Sequence, residues 1–245
     1  MKLHVTGATG YLGSELVRRV PDASTERVEV RDAVAVRELF RRIRPETVIH
    51  TAYLQAGPGA HEVTVDGAEN VARAAAAVGA RLVHLSTDVV FDGRKGTPYV
   101  EDDPLSPVTD YGRAKAEAEG RVARAHPHAL IVRTSLIYGG AEPSKHEATA
   151  RDPAFTFFTN EIRNPIQAGD LAEALLELAG LAVSGPLHVA GADAVSRADF
   201  AELITGAPVA SAPAPPTRPL NCSLDSSRAQ ALIATRLRGV RELLG

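Results

Sequence analysis

The sequence has almost no cysteine and no long apolar run. Cys222 is the single cysteine among 245 residues, so an intrachain disulfide is impossible and a zinc site built from several cysteines is excluded. The first residues run directly into a strand-like segment rather than a signal peptide, and no apolar stretch reaches the roughly 18 residues that suggest a membrane-spanning helix. We therefore expect a soluble, cytoplasmic protein without a membrane partner.

Positive charge is also sparse. The chain carries 27 lysines and arginines against 30 aspartates and glutamates, a formal net charge of -3, and no basic block stands out, so we expect no nucleic-acid partner. Lysine occurs only as Lys2, Lys95, Lys115 and Lys145, which indicates a compositional bias toward arginine. No H-E-x-x-H or comparable histidine spacing occurs, and we expect no catalytic metal.

Strand-like apolar runs alternate with alanine-rich amphipathic stretches through the first half of the chain, which is the pattern of a parallel sheet covered by helices on both faces. The predicted strands cover residues 2–7, 27–30, 46–52, 81–87, 128–140, 156–162 and 186–190. The predicted helices cover residues 13–19, 34–43, 65–78, 110–125, 168–181, 196–204 and 232–244. The sequence thus predicts an α/β fold, a Rossmann-type doubly wound parallel sheet with a small C-terminal lobe.

The segment TGATGYLG, residues 6–13, places three glycines between the first strand and the first helix. This spacing allows a tight turn, a close approach of the backbone to a pyrophosphate, and close packing of the helix, whose N-terminus attracts the anion. The residues expected at a dinucleotide are Gly7, Thr9, Gly10, Tyr11, Leu12 and Gly13. We assign residues 1–139 to an NAD(P)-binding Rossmann domain and residues 140–245 to a substrate-binding lobe whose strands and helices return to the core.

The residue that reads the adenosine ribose is expected about 20 positions after the loop. The second strand is compressed, so Asp22, Arg27, Arg31 and Asp32 all compete for this role. Because an acidic residue favours NADH and an arginine favours NADPH, the sequence leaves the choice of cofactor open.

Tyr111 and Lys115 stand four residues apart on a predicted helix, which places both side chains on one face. The helix follows a strand that ends in Ser86, Thr87 and Asp88, so a hydroxyl group there can face the tyrosine across the ligand crevice of an open α/β sheet. We take Thr87 as that group, with Ser86 or Asp88 as alternatives. A lysine in an arginine-rich chain indicates that position 115 needs a compact point charge.

The glycine loop, the threonine and the tyrosine–lysine pair, in this order, resemble the short-chain dehydrogenases/reductases. More specific motifs are LSTDVVFDG (85–93), EDDPLSPVTDYGRAKAEAE (101–119), IVRTSLIYG (131–139) and RPLNCSLD (218–225). Together they resemble the dTDP-4-dehydrorhamnose reductases, an extended branch that reduces a 4-keto nucleotide sugar.

The resemblance implies a role for each residue of the catalytic set. Tyr111 would donate a proton to the carbonyl oxygen as hydride reaches the carbon, and a phenol with an ordinary pKa of about 10 needs that pKa lowered to act near neutrality. Lys115 would lower it by its charge and would bind the nicotinamide ribose. Thr87 would hold the substrate carbonyl in line.

Further positions are expected to line the cofactor. By the geometry of the strand ends, residues 51–53 would lie beside the nicotinamide ribose, and Ser135 would contact the nicotinamide. Glu29 and Val30 match positions that flank the adenine in related reductases, although a surface role for Glu29 is equally compatible. Beyond the glycine loop, the full set is Glu29, Val30, Thr51, Ala52, Tyr53, Ser86, Tyr111, Lys115 and Ser135.

Three features depart from the family pattern. Leu136 replaces a tryptophan, Asp66 replaces an asparagine, and the segment after Tyr138 lacks the long helix that covers the substrate in related reductases. A short lid implies a more open pocket, or one completed by a second subunit as in a homodimer. The residues expected at the substrate are Asp88, Val89, Arg163, Arg218 and Asn221. Arginine suits bidentate recognition of phosphate, although ordinary surface positions fit these arginines as well.

These motifs favour a reductase that acts on a keto group of a nucleotide sugar with NADPH or NADH. An epimerase or dehydratase of the same extended family is an alternative, and it would keep its cofactor bound through the cycle. A non-catalytic NAD(P)-binding regulatory subunit is a second alternative. The short lid is the reason to consider this regulatory role, and the complete set of threonine, tyrosine and lysine argues against it.

Overall fold

The computed structural model describes residues 2–245, and its largest sheet has five parallel strands in the order β1-β2-β3-β4-β9. The strands of the molecule are β1 (Leu3–Thr6), β2 (Thr47–His50), β3 (Arg81–Thr87), β4 (Leu130–Thr134), β5 (Ile137–Tyr138), β6 (Phe157–Phe158), β7 (Ile162–Arg163), β8 (Ile166–Gln167), β9 (Gly185–His188), β10 (Val195–Ser196) and β11 (Ser211–Ala212). The shorter strands form three two-stranded sheets, β5 with β8, β6 with β11, and β7 with β10.

Helices cover both faces of the five-stranded sheet. They are α1 (Tyr11–Arg19), α2 (Ala33–Ile43), α3 (Gly67–Ala77), α4 (Asp110–Ala125), α5 (Lys145–Ala150), α6 (Ala168–Ala179), α7 (Arg197–Thr205), α8 (Ser227–Gln230) and α9 (Val240–Leu244), with a π-helical turn at Glu62–Asp66 and a 3₁₀ turn at Asp88–Val90. No helix within residues 2–245 is both long and apolar enough to cross a membrane.

The strands are apolar on both sides because each side packs against helices. Ile49 belongs to a core that includes α1 and α6, whereas its neighbour Val48 belongs to a second core with α2, α3 and α4. Successive strand residues point to opposite faces, so a strand buried on both faces reads as a continuous apolar run. The Rossmann-type α/β fold predicted from the sequence is confirmed, and all five parallel strands end at the same edge of the sheet.

The strand predicted at residues 27–30 is wrong. The edge of β1 is instead held by Ser24, whose amide donates to the carbonyl of Leu3 at 2.8 Å and whose carbonyl accepts from the amide of Val5 at 3.0 Å. Residues 27–29 are not buried, and the carboxylate of Glu29 pairs with Arg31 at 2.9 Å. The segment is too polar to bury against the sheet, so a single bridge replaces the strand.

Two predictions for the C-terminal half are also wrong. The strand expected at residues 156–162 is divided between β6 and β7, which pair with different partners. The helix expected at residues 232–244 is reduced to α9 because the preceding backbone binds other parts of the chain. The amides of Ala234 and Thr235 donate to the carboxylate of Glu177 at 2.6 and 2.9 Å.

The single strand predicted at residues 128–140 is also wrong, because it is divided between β4 and β5, which belong to different sheets. The other elements agree with the expected positions to within a few residues. Helix α7 begins close to the predicted position, where Ser196 is the N-cap and its hydroxyl accepts a hydrogen bond from the amide of Asp199 at 2.9 Å. Helix α5 lies in the segment that showed no periodicity and begins with a capping box of Ser144 and Glu147. The C-terminal half also returns to the large sheet, because β9 pairs with β4 and α6 packs on the face that α1 covers.

Candidate active site

The glycine loop joins β1 to α1. The amide of Gly10 donates to the carbonyl of Gly7 at 2.9 Å and closes the turn. A Cβ at Gly13 would lie 2.1 Å from the Gly7 oxygen, so only glycine allows α1 to pack this closely. Thr9 and Gly10 are exposed, and no side chain caps the N-terminus of α1. The uncapped amides of the first turn therefore suit a phosphate group.

The next two residues of the loop use their side chains elsewhere. Leu12 packs in the core below the sheet. The hydroxyl of Tyr11 accepts a hydrogen bond from the amide of Gly140 at 2.7 Å and donates to Glu147 at 3.3 Å. The backbone of both residues stays available to a dinucleotide, while the side chain of Tyr11 joins the start of α1 to α5.

Residues 51–53 follow β2 and line the same edge of the sheet. The hydroxyl of Thr51 donates to the carbonyl of Thr6 at 2.8 Å and ties the ends of β1 and β2 together. Ala52 lies against the glycine loop, where a Cβ at Gly7 would be 2.7 Å from the Ala52 amide nitrogen. The ring of Tyr53 extends from this loop to helix α4, where it contacts Tyr111 and Lys115.

The end of β3 carries a buried group of polar side chains. The hydroxyl of Thr87 donates to the carboxylate of Asp88 at 3.2 Å, and that of Ser135 donates to the same carboxylate at 2.6 Å. The guanidinium of Arg163 lies 3.6 Å away. Burial raises the pKa of Asp88, and Arg163 opposes this shift. Asp88 thereby fixes the orientation of Thr87, and Ser135 is bound to Asp88 rather than free.

Helix α4 begins with Thr109, whose hydroxyl accepts a hydrogen bond from the amide of Gly112 at 3.0 Å. A Cβ at Gly112 would lie 2.3 Å from the carbonyl oxygen of Val89. Glycine at this position therefore lets the first turn of α4 press against the turn that follows β3. As a result, Tyr111 is brought within hydrogen-bonding reach of Thr87.

Lys115 lies one turn further along α4, on the same face as Tyr111. Its side chain is only 3% exposed, and Nζ donates to the carbonyl of Leu85 at 2.8 Å. The ring of Tyr53 bridges the pair, because its centroid lies 4.9 Å from Nζ of Lys115 and 5.8 Å from the ring centroid of Tyr111. Burial lowers the pKa of Lys115 to about 8, and Glu119 opposes this shift.

The pKa of Tyr111 differs from the expectation drawn from sequence. Burial raises it well above the usual value, the neighbouring Tyr53 and Asp88 raise it further, and only the hydrogen bond with Thr87 lowers it. Lys115 does not contribute to this shift in the structure, where its ammonium donates to the carbonyl of Leu85, and its stabilisation of a tyrosinate during the reaction stays a prediction. The phenol is therefore protonated but is a weaker acid than a free phenol, so proton transfer requires that the tyrosinate be stabilised.

Ser86 points into the protein rather than toward Tyr111. Its hydroxyl donates to the carboxylate of Glu119, which also accepts hydrogen bonds from Arg133 at 2.9 to 3.2 Å. Both side chains of that ion pair are 5% exposed. Of the hydroxyl groups at the end of β3, it is Thr87 that faces the tyrosine.

The residues expected to bind a substrate phosphate lie near the cleft but are largely engaged. Arg163 is 3% exposed, and its guanidinium donates to the carbonyls of Ile162, Pro219 and Leu220. Arg218 is half-exposed, pairs with the buried Glu161, and stacks over a phenylalanine ring at 4.9 Å. We infer that Arg163 is a structural residue, because three of its N–H groups donate to carbonyls and its guanidinium also lies near the buried carboxylates of Asp88 and Glu161.

Asn221 and Val89 contribute mainly through local contacts. The side-chain oxygen of Asn221 accepts a hydrogen bond from the amide of Ser223 at 3.1 Å. The amide of Val89 donates to the hydroxyl of Thr87 at 3.4 Å, so this residue helps to hold the threonine.

The region expected at the adenine consists of loop rather than strand. Glu29 is exposed to solvent and paired with Arg31, while Val30 is 6% exposed and packs against Gly67. Asp32 is the N-cap of α2, and its carboxylate accepts from the amides of residues 34 and 35. Arg31 thus remains at the surface near this loop, and the carboxylate of Asp32 is committed to the helix.

Sequence reasoning missed a group of basic residues on the other side of the cleft. Arg197, the first residue of α7, lies 3.3 Å from the ring of His146 on α5, and the adjacent Lys145 donates to Gln55 in the loop after β2. Lys145 could have been selected from the sequence, because it is one of the few lysines in an arginine-rich chain, which is the reason that Lys115 was selected. No pattern in the sequence links these residues to Arg197, which lies some 50 positions away.

The geometry brings together a proton donor, a second hydroxyl and a cation at the edge of the sheet where the glycine loop also lies. Thr87, Tyr111 and Lys115 converge at the end of β3, and Tyr53 lies over the pair on α4. A phenol and a hydroxyl that share one substrate oxygen can hold a carbonyl group and protonate it.

Comparison with known proteins agrees with this chemistry. The family model described as "RmlD substrate binding domain" matches residues 1–245. The sequence is 34% identical to a dTDP-4-dehydrorhamnose reductase of Mycolicibacterium smegmatis, over 99% of this chain and 84% of that protein. A solved dTDP-4-dehydrorhamnose reductase of Bacillus anthracis in complex with NADP has a TM-score of 0.87 at 26% identity, covering 100% of this chain and 98% of that one. The corresponding enzyme of Clostridium acetobutylicum has a TM-score of 0.84 at 27% identity, with 99% and 97% covered. The chain therefore belongs to the RmlD substrate binding domain family, together with these dTDP-4-dehydrorhamnose reductases.

Proposed function

We propose that the chain is an NAD(P)H-dependent reductase of a keto group on a nucleotide sugar. The observation that carries the proposal is the convergence of Thr87, Tyr111 and Lys115 at the sheet edge that also holds the glycine loop. The relatives named dTDP-4-dehydrorhamnose reductase support the same reaction.

The glycine loop fits a dinucleotide. Its exposed residues and the uncapped first turn of α1 can receive a pyrophosphate, and the packing at Gly13 leaves no room for a side chain between the loop and the helix. Bound NADPH or NADH would supply hydride to the carbon of the substrate carbonyl. In this proposal residues 1–139 hold the dinucleotide, and residues 140–245 supply the groups that bind the sugar nucleotide.

Each residue of the cleft has a separate role in protonating and holding the carbonyl oxygen. Tyr111 donates the phenolic proton to the carbonyl oxygen as the C=O bond becomes C–OH. Thr87, whose hydroxyl donates to Asp88 in this structure, would turn that single hydrogen to the same oxygen and hold it in place. Lys115 supplies positive charge next to the tyrosinate that proton transfer leaves behind, and the nearby ring of Tyr53 keeps the pair of side chains together.

The function is tested by following reduced cofactor at 340 nm after adding a dTDP-4-keto-6-deoxyhexose. We expect oxidation of NADPH or NADH that depends on the sugar, with the corresponding hydroxy sugar as product. An epimerase or dehydratase would instead convert the sugar without net oxidation of added cofactor and would retain cofactor through purification. Absence of any change in both cofactor and keto sugars would contradict an enzymatic role.

The pKa of Lys115 predicts how the reaction depends on pH. Because burial lowers this pKa to about 8, the ammonium is charged below that pH and loses its proton above it. We expect kcat/KM, which reports the free enzyme, to be level toward lower pH and to fall as the pH rises through about 8. Lys115→Met is the matched control, since its residual activity should show no inflection there. A wild-type profile that stays level to pH 10 would show that the charge is not needed.

A further inference from the structure

Helices α5 and α7 bring three basic side chains to one place beside the cleft. Lys145 and Arg197 are the first residues of these helices, and a capping box fixes the start of each. His146 follows Lys145, and its ring lies 3.3 Å from the guanidinium of Arg197. The backbone therefore holds the three side chains in a fixed arrangement. We refer to Lys145, His146 and Arg197 as the basic cluster.

The basic cluster forms no direct ion pair with a carboxylate in the part of the chain that the structure describes. Within residues 2–245, no acidic side chain comes within 4 Å of the guanidinium of Arg197 or the ammonium of Lys145. The neighbouring arginines differ, because Arg163 lies 3.6 Å from Asp88 and Arg218 pairs with Glu161. Each of these two arginines is matched by one carboxylate, whereas the positive charges of Lys145 and Arg197 have no ion-pair partner of their own among the described residues. Two such charges, with Arg197 half-buried and Lys145 exposed, suit an anionic ligand.

The electrostatic environment agrees with a site arranged for an anion. Burial, followed by the nearby Arg163, lowers the pKa of Arg197 to about 10, and the carboxylates of Glu161 and Asp88 oppose this shift. Burial and then Arg197 lower the pKa of Lys145. Burial, followed by Arg197 and Lys145, lowers the pKa of His146 to about 3, so this ring is neutral and accepts a hydrogen bond from Arg197. An anion between Lys145 and Arg197 would relieve their mutual repulsion.

The position of the basic cluster relates it to the reacting groups. Lys145 donates to Gln55, two residues after Tyr53, which lies over Tyr111 and Lys115. Arg197 is close enough to Asp88 for their charges to interact. The basic cluster therefore lies beside the loop that carries Tyr53 and within electrostatic range of Asp88, which holds Thr87.

We propose that the basic cluster binds the diphosphate of a nucleoside diphosphate sugar. The inference rests on the proposed function, because it takes the sugar to lie at Tyr111. A diphosphate esterified at both ends carries two negative charges, which match the two unmatched positive charges. Arg197 can grip one phosphate with two N–H groups, and Lys145 can contact the other as a point charge. Helix α5 thereby supplies a substrate contact from the shortened lid segment.

The test measures binding of dTDP and thymidine by isothermal titration calorimetry, with the dinucleotide site saturated by oxidised cofactor. We expect the wild type to bind dTDP more tightly than thymidine. Arg197→Gln and Lys145→Gln should each weaken dTDP binding roughly tenfold to a hundredfold, as for a lost hydrogen bond to a charged group, and leave thymidine binding unchanged. Arg151→Gln, which removes the same charge just after α5, is the matched control and should bind dTDP like the wild type.

The outcomes separate this inference from the proposed function. If the wild type reduces the keto sugar but both cluster variants bind dTDP within twofold of wild type, the basic cluster is not the diphosphate site and the reductase assignment stands. The same conclusion follows if the wild type does not distinguish dTDP from thymidine. If the variants lose dTDP affinity but the wild type reduces no keto sugar, the site is supported and the reductase function is wrong. Unchanged cofactor affinity in each variant verifies that it is folded.

Discussion

Tyr111→Phe is expected to lower kcat by about 100-fold to 10,000-fold, the usual contribution of a general acid or base. The phenol is the proton donor in the proposed reaction, and burial keeps it protonated by raising its pKa well above the usual value. Phenylalanine cannot donate, and Thr87 alone would then hydrogen-bond the oxyanion. Steady-state measurement of kcat and of KM for the keto sugar and the cofactor checks this prediction.

The rest of the site is expected to survive the substitution. Phenylalanine preserves the ring that contacts Tyr53 at 5.8 Å between centroids. Lys115 is held independently by the carbonyl of Leu85, so its position does not depend on the lost hydroxyl group. Cofactor affinity and the free energy of unfolding should therefore stay close to the wild-type values, and the loss should appear in kcat.

Tyr138→Phe provides the matched control for this experiment. Tyr138 is 1% exposed and packs edge-on against Phe200, and its hydroxyl has no hydrogen-bond partner within residues 2–245. Removing this group should leave turnover unchanged and leave stability equal or slightly higher, because an unpaired buried hydroxyl is costly. If Tyr111→Phe retained turnover within about threefold of wild type, another group, such as Asp88 with its raised pKa, would have to supply the proton.

The parts of the site that local spacing determines could be predicted from the sequence. Tyr111 and Lys115 share a helical face because they are four residues apart, and the strand before them had to end near Thr87. The glycine loop could also be predicted from the sequence, since its geometry depends on the packing at one strand–helix junction. Side-chain direction was less accessible. The sequence did not indicate that Ser86 would bind Glu119, or that Lys115 would donate to the backbone carbonyl of Leu85.

The parts that depend on long-range contacts could not be predicted. The sequence suggested Arg163 as a phosphate ligand, but the fold encloses it among three carbonyl groups and Asp88. Lys145 and Arg197 became candidates only because α5 packs against α7. Residues 27–30 have the alternating pattern of a strand, but Ser24 makes the backbone hydrogen bonds to the edge of β1, so residues 27–30 have no strand to pair with there. In each case a tertiary contact determined the outcome.

Glu119→Ala is expected to destabilise the protein by about 3 to 5 kcal/mol, the usual cost of removing one partner of a buried ion pair. Glu119 accepts three hydrogen bonds from Arg133 and one from Ser86. The guanidinium would be left buried over the ring of Phe91, with the carbonyl of Glu101 and the ring of His188 as its remaining hydrogen-bond partners. Because Lys115 lies one turn before Glu119 on α4, the loss is also expected to loosen the active-site helix.

Urea unfolding followed by circular dichroism measures this effect, since the chain has no tryptophan. Glu242→Ala is the control, because Glu242 pairs with Arg236 at 3.1 Å while both side chains are largely exposed, and surface pairs contribute at most about 1 kcal/mol. The double variant Glu119→Leu with Arg133→Met should recover much of the loss, since it removes both buried charges together. If Glu119→Ala lowered the free energy of unfolding by less than about 1 kcal/mol, the guanidinium of Arg133 would have to donate to water or to another acceptor. The ion pair would then not be the contact that holds α4 against the sheet. Recovery in the double variant without recovery of activity would show that the pair positions Lys115 as well as stabilising the fold.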